Sequence, residues 1–222
     1  MLKIKKIPDD FNKLEVNGNI IKRVVSTKYL GLIIDEKLSW NEHTTYVYNS
    51  LLKYYGIFNR IKYFVNKNVV RQLYFAFIYS RIKYGIEVYG SCANCQIHKL
   101  QVIQSGLLKM LLKFDRRTDT NYLHKYMRIL KVSDIYRQQL ICFHGNNIRR
   151  KLPIIFNNYF GIINTNYNFR NPALDIDFGR TNYGLLTVKN STLRLWHSLP
   201  NELKDKASQL NFRKHIATHF MN

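Results

Sequence analysis

The stretch KYLGLIIDEKLSWNEH, from Lys28 to His43, decides how the rest of the chain is read. Tyr29 to Ile34 is apolar and rich in β-branched residues, the composition of a short buried strand, and Asp35 to Trp40 reads as a turn. Asn41 suits a helix N-cap, Glu42 places an acid in the first turn, and the apolar spacing beyond them becomes helical. The stretch is therefore a boundary, with β structure before it and helices after it.

Working upstream, Lys13 to Val16 and Ile20 to Val24 flank Asn17-Gly18, a pair that tolerates positive φ and predicts a hairpin. With Tyr29 to Ile34 as a third strand, residues 1–40 form a thin β segment that needs something to cover it. Downstream, Val47, Leu51, Tyr54, Tyr55 and Phe58 recur at helical spacing from Asn41 to Arg60. A second helix starts near Asn68, with Val69, Leu73, Phe77, Ile78 and Ile82 on its apolar face. Further helices are expected over Cys95–Phe114, Thr120–Leu130 and Ser133–Arg150, the last capped by Ser133. Residues 41–152 thus read as a helical bundle.

After Pro153 the pattern weakens. Asn157, Asn158, Asn164, Asn166, Asn168 and Asn171 alternate with aromatics, which predicts loops and short strands. A short helix is expected from Thr192 to Trp196, then an exposed turn at Asn201–Lys204, then a last helix from Ser208 to Phe220 capped by Ser208 or Asn211. Trp196, Leu199, Leu203, Leu210 and Phe212 would form an apolar knot. The expected fold is mainly α: a helical bundle preceded by a short β-hairpin or three-strand segment (1–40), with an irregular α+β C-terminal region (153–222).

The 222 residues, 46% of them hydrophobic, suffice for a real core in one compact domain or two small ones. Lys and Arg number 35 against 14 Asp and Glu, a net charge of +21. Such an excess calls for a polyanion, with nucleic acid the first candidate and an acidic membrane surface the second. Cys92, Cys95 and Cys142 are odd in number and form no disulfide framework, and no apolar run approaches the roughly 18 residues of a membrane span. A soluble, intracellular protein of the cytoplasm or nucleus, with no membrane role, is expected.

The charge is concentrated in the bundle. From His43 to Phe114 Glu87 is the only acid, against Lys53, Arg60, Lys62, Lys67, Arg71, Arg81, Lys83, Lys99, Lys109 and Lys113. Ten bases against one acid forgo the i,i+4 pairs of an ordinary solvated helix and ask for an external counter-charge, for which a phosphate backbone fits. Lys53, Arg60, Lys62, Lys67, Arg71, Arg81 and Lys83 are the candidate phosphate-binding side chains. Interleaved tyrosines (Tyr46, Tyr48, Tyr54, Tyr55, Tyr63, Tyr74, Tyr79, Tyr84) either pack between helices with a polar tip or stack on nucleotides.

Two motifs carry a family resemblance. Tyr29-Leu30-Gly31 with Ile34-Asp35, Leu38, Trp40 and His43 resembles the segment that closes the palm and opens the thumb in reverse transcriptases of non-LTR (LINE-type, jockey-like) retrotransposons. Arg180-Thr181-Asn182-Tyr183-Gly184, followed by Leu195-Trp196-His197-Ser198-Leu199-Pro200, looks like the closing segment of the same polyproteins, which usually have Asn where this chain has His197. The resemblance implies the end of the palm, the thumb and the C-terminal region of such an enzyme. It also implies that Tyr29, Leu30 and Gly31 belong to a primer-grip-like element; the residues alone equally allow Gly31 to permit close packing and Tyr29 to be core.

The polymerases of that family hold Mg2+ on carboxylates, two of them in an aromatic-x-Asp-Asp hairpin. This chain has no such hairpin; its one adjacent acid pair, Asp9-Asp10, follows Pro8 and reads as a turn. The chain is thus expected to be non-catalytic, to need no cofactor of its own, and to lack the fingers and catalytic palm of its parent. Cys92, Cys95 and His98 offer three zinc ligands at short spacing without a fourth nearby. His215 and His219 stand four apart, but Ile216 occupies the position of a general-base Glu. The expected function is non-catalytic binding of RNA or an RNA–DNA hybrid through phosphates; the alternative is a helical protein-interaction module with a basic face.

Overall fold

The computed structural model describes residues 14–161 and 182–221. Two separate antiparallel hairpins come first: β1 (Leu14–Val16) with β2 (Asn19–Ile21), and β3 (Ser26–Tyr29) with β4 (Leu32–Asp35). Asn17 and Gly18 turn the first, both with positive φ, as their composition predicts; Lys13 lies outside the described residues. The single strand expected from Tyr29 to Ile34 is instead a strand end, a turn and a second strand. Leu30 and Gly31, at φ 45° and 82°, make a tight two-residue turn, so that Tyr29 pairs with Leu32 and Ser26 with Asp35.

Asp35 ends β4 and builds the corner. Its carboxylate accepts hydrogen bonds from the backbone N–H groups of Lys37 (3.1 Å), Ser39 (3.0 Å) and Trp40 (2.9 Å). Burial alone would raise its pKa, but these bonds, with the Ser39 side chain, leave it below the ordinary carboxylate value. Trp40, with φ 62°, takes the cap position of α1 (Asn41–Ile61), so Asn41 is the first helical residue rather than the cap. His43 fastens sheet to helix by accepting the Ile33 N–H on Nδ1 at 3.3 Å.

The bundle follows the apolar spacing. Helix α2 (Lys67–Leu73), capped by Asn66, continues through a π-helical segment (Tyr74–Tyr79) into α3 (Ser80–Lys83). Then come α4 (Ile86–Tyr89), α5 (Asn94–Leu111), α6 (Thr120–Met127) and α7 (Val132–Ile148). One core unites them: Val47, Leu51 and Phe58 of α1 meet Tyr74, Ile78 and Ile82, the Leu100–Leu111 face of α5, and Val132 and Ile135 of α7. Ser133 does not cap α7. The Val132 N–H is satisfied across the bundle by Gln101 Oε1 at 2.8 Å, while the Gln101 amide N–H donates to His124 Nε2 at 3.0 Å.

The described part of the C-terminal region is helical: α8 (Asn182–Leu185), α9 (Val188–Ser198), α10 (Asn201–Asp205) and α11 (Phe212–Met221). Residues 201–204, expected as a turn, belong to α10. The asparagines from Asn164 to Asn171 and the Arg180-Thr181 pair lie outside the described residues. The apolar knot forms on α7, where Ile141 meets Trp196, Leu199, Ala207, Phe212 and Ile216, with Leu203 at its side. Leu210, expected in that knot, is exposed on the connection before α11.

Candidate nucleic-acid interface

Helices α1 and α5 run side by side in the same direction, with Thr44 bonded to Gln96 near their starts and Tyr55 against Gly106 further along. They pack closely because Gly106 has no side chain. A Cβ there would collide with the Tyr55 hydroxyl. Below this contact an open groove of about 950 Å³ runs between α1, α5 and the α5–α6 connection. Its walls carry Lys62, Lys109, Arg116 and Lys131 and no carboxylate, with Asn59, His98, Gln101 and Asn121 between them.

Local bonds hold the cationic walls in place. Lys109 Nζ donates to the Arg116 carbonyl at 2.9 Å, folding the loop back over the end of α5. Lys131 donates to Asn121 Oδ1. Backbone hydrogen bonds led by that of Tyr122 lower the Asp119 pKa with a small contribution from Lys131, whereas burial raises that of Asp134 against Arg137 and Lys131. The ion pairs among the described residues, Arg23–Glu36 and Arg137–Asp134, lie outside this groove. No ion pair among the described residues involves Lys62, Lys109 or Arg116, so their charge is left for solvent or a ligand, and Asn59 and His98 beside them are suited to phosphate and sugar oxygens.

The structure scatters the sequence-predicted residues over several places. Lys62 lines the groove; Lys53 and Arg60 are exposed on α1. Lys67 lies over the Tyr126 ring, 3.5 Å from its centroid, and Arg71 donates to the carbonyls of Met127 and Arg128 while stacking on Phe75. Lys83 is half-buried, its pKa lowered by burial and by Arg213, with Glu87 opposing. At the other end of α1, Gly31 and Arg81 meet in a pocket of about 330 Å³ with His43, Tyr46, Ser50 and Tyr84. Tyr29 and Leu30 stand at the hairpin tip, 63% and 73% exposed, so Tyr29 is not a core residue. Gly31 does permit close packing: a Cβ would come within 3.1 Å of Tyr84 Cε1.

Neither a family model nor a solved structure matches the chain. Among curated proteins, 149 residues are 24% identical to the RNA-directed DNA polymerase from mobile element jockey of Drosophila funebris. A further match, 23% over 150 residues, is to the polymerase of the same name from Drosophila melanogaster; each covers 63% of this chain. The chain is similar to part of the jockey RNA-directed DNA polymerases. The match spans only 16% of the length of either relative.

In this jockey-like chain the described residues do not fit the Mg2+ pair implied for the parent enzymes. No three His, Cys, Asp or Glu side chains gather among them, and Asp9 and Asp10 lie outside them. The zinc trio does not assemble either: Cys95 and His98 are exposed, and Cys92 is half-buried with its thiol pKa pushed up to about 11. No helix among the described residues is long and apolar enough to cross a membrane. Sequence reasoning singles out Lys62 and Lys109 as bases and His98 only as a zinc ligand, and it passes over Arg116 and Lys131; these last two and His98 complete the groove. Arg116 and Lys131 sit beyond Phe114, where acids return to the sequence, and only tertiary folding brings all five together.

Proposed function

We propose that the chain is a C-terminal, non-catalytic part of a jockey-like reverse transcriptase, comprising the end of the palm, the thumb and the region after it. It grips RNA or an RNA–DNA hybrid by the phosphate backbone, with little reading of bases. The observation that carries this reading is the groove between α1 and α5, with four cationic side chains and no carboxylate on its walls. Similarity to polymerases that must hold a template and its product supports the same reading. Backbone contacts of this kind release counterions, so affinity falls steeply with salt and varies little with sequence.

The test is fluorescence anisotropy with a labelled primer–template hybrid at several salt concentrations. Wild-type binding with a steep salt slope is expected on unrelated sequences. Replacing Lys62, Lys109, Arg116 and Lys131 by Ala should weaken binding on all of them and flatten the slope by about 0.9 for each phosphate no longer neutralised. Unchanged affinity in that variant, with circular dichroism showing it folded, would overturn the assignment of the groove. Indifference of the wild type to polyanions at low salt would favour a basic protein-interaction module instead.

A further inference from the structure

A run of aromatic rings leads away from the groove. Phe114, on its wall, has its ring centroid 6.4 Å from that of Tyr122 and 5.7 Å from that of Tyr126. Tyr122 and Tyr126 lie one helical turn apart on α6, 6.0 Å between centroids and 23° from parallel. Opposite them, the α1–α2 connection presents Tyr63 and Phe64, the latter 88% exposed. Lysines tie the two connections together: Lys67 lies on Tyr126, and both Lys62 (5.1 Å) and Lys113 (4.9 Å) lie over Tyr63.

Exposed rings forgo the stabilisation that burial brings, and a surface with several of them usually meets a ligand. The ligand that suits this one is flat and apolar on its faces and anionic along its edge, because ammonium groups border the rings throughout. The nearby carboxylates are engaged with backbone N–H groups: Asp115 with Arg117, and Asp119 with Tyr122. We propose that the exposed rings of Tyr122, Tyr126, Tyr63 and Phe64, with half-buried Phe114 behind the α6 pair, form a stacking platform for the unpaired bases of a single strand, whose phosphates follow Lys62, Lys113 and Arg116. Tyr126 has Lys67 over its ring, and Tyr122, 56% exposed, offers the larger surface of the two α6 tyrosines. Stacking of this kind tolerates any base, since each has a π face.

The proposal rests on the groove being a phosphate-binding site, and the experiment separates the two. Anisotropy is measured at low salt and at a series of salt concentrations with two labelled strands of equal length, oligothymidine and a fully abasic strand with the same phosphates. The wild type should prefer the base-bearing strand by about tenfold. Tyr122→Ala should reduce that preference about fivefold or more with its salt slope unchanged, and Tyr122→Phe, which keeps the ring, should retain it. Equal, salt-sensitive binding of the two strands by the wild type would overturn the platform and leave the groove standing. An undiminished preference in folded Tyr122→Ala would also overturn it, and absence of salt-sensitive binding to either strand would overturn both.

Discussion

The Tyr84 hydroxyl donates a 2.6 Å hydrogen bond to the Leu30 carbonyl, so the residue that ends α3 holds the tip of the β3–β4 hairpin. Behind it the contact is interlocked, because a Cβ on Gly85 would meet Leu32 Cδ2 at 2.6 Å. Tyr84→Phe should cost about 0.5–1.5 kcal/mol, towards the lower end because water can replace an exposed bond. Gly31→Ala should cost about 1 kcal/mol or more, since φ is 82° and the added methyl presses on the Tyr84 ring. Urea unfolding gives both values, and faster amide exchange confined to residues 26–35 would locate the loss at the hairpin.

Asp35→Ala removes the acceptor for three backbone N–H groups and should destabilise the protein by about 2–3 kcal/mol at neutral pH. The folded pKa of Asp35 lies below its unfolded value, so its contribution is complete above the unfolded value of about 3.9. It is lost as pH falls from there through the folded value. Urea titrations of wild type and variant should therefore differ most near pH 7 and converge at strongly acidic pH.

How much was legible in the sequence follows from the kind of signal each feature leaves. Val47, Leu51 and Phe58 repeat at helical spacing because one stripe of α1 is buried, and all three are in the core. The turn at Leu30-Gly31 hid inside an apolar run, because Leu rarely adopts a positive φ and gives no turn signal. Gln101 satisfying the Val132 N–H left none either, since the partner lies 31 residues away. The groove was legible only as an excess of bases. Sequence gives the sign of a side chain's charge but not whether, as at Arg71, the charge is already engaged by the ends of a neighbouring helix.

Arg71→Ala is accordingly expected to act on stability. Its guanidinium bridges the carbonyls of Met127 and Arg128 at the C-terminus of α6, where Arg128 itself has φ 51°. Loss of charge-assisted bonds there should cost about 1.5–3 kcal/mol. Denaturant unfolding should show this loss, with a smaller effect on the salt slope of nucleic-acid binding than from Lys62→Ala.

His144 sits between the rings of Phe160 (4.6 Å) and Trp196 (4.5 Å), with its Nδ1 lacking a hydrogen-bond partner. Burial lowers its pKa to about 4, and burial also lowers those of His43 and His124. Between the unfolded value of about 6.5 and these folded values the unfolded chain binds more protons, so stability falls as pH falls through that window. His144→Phe should make the dependence of unfolding free energy on pH shallower between about 6.5 and 4.

The π-helical segment from Tyr74 to Tyr79 makes the hairpin's attachment a matter of counting as well as of chemistry. A wide turn accommodates extra backbone within one continuous helix, and everything after it is rotated relative to everything before. Removing a single residue there would turn Ser80 to Tyr84 by about 100°. Gln104 could still donate to Tyr74, upstream of the cut, while Tyr84 would swing away from Leu30. Helix and hairpin are thus geared together, and substitutions at the exposed positions 75–77 should be tolerated far better than any change in the segment's length.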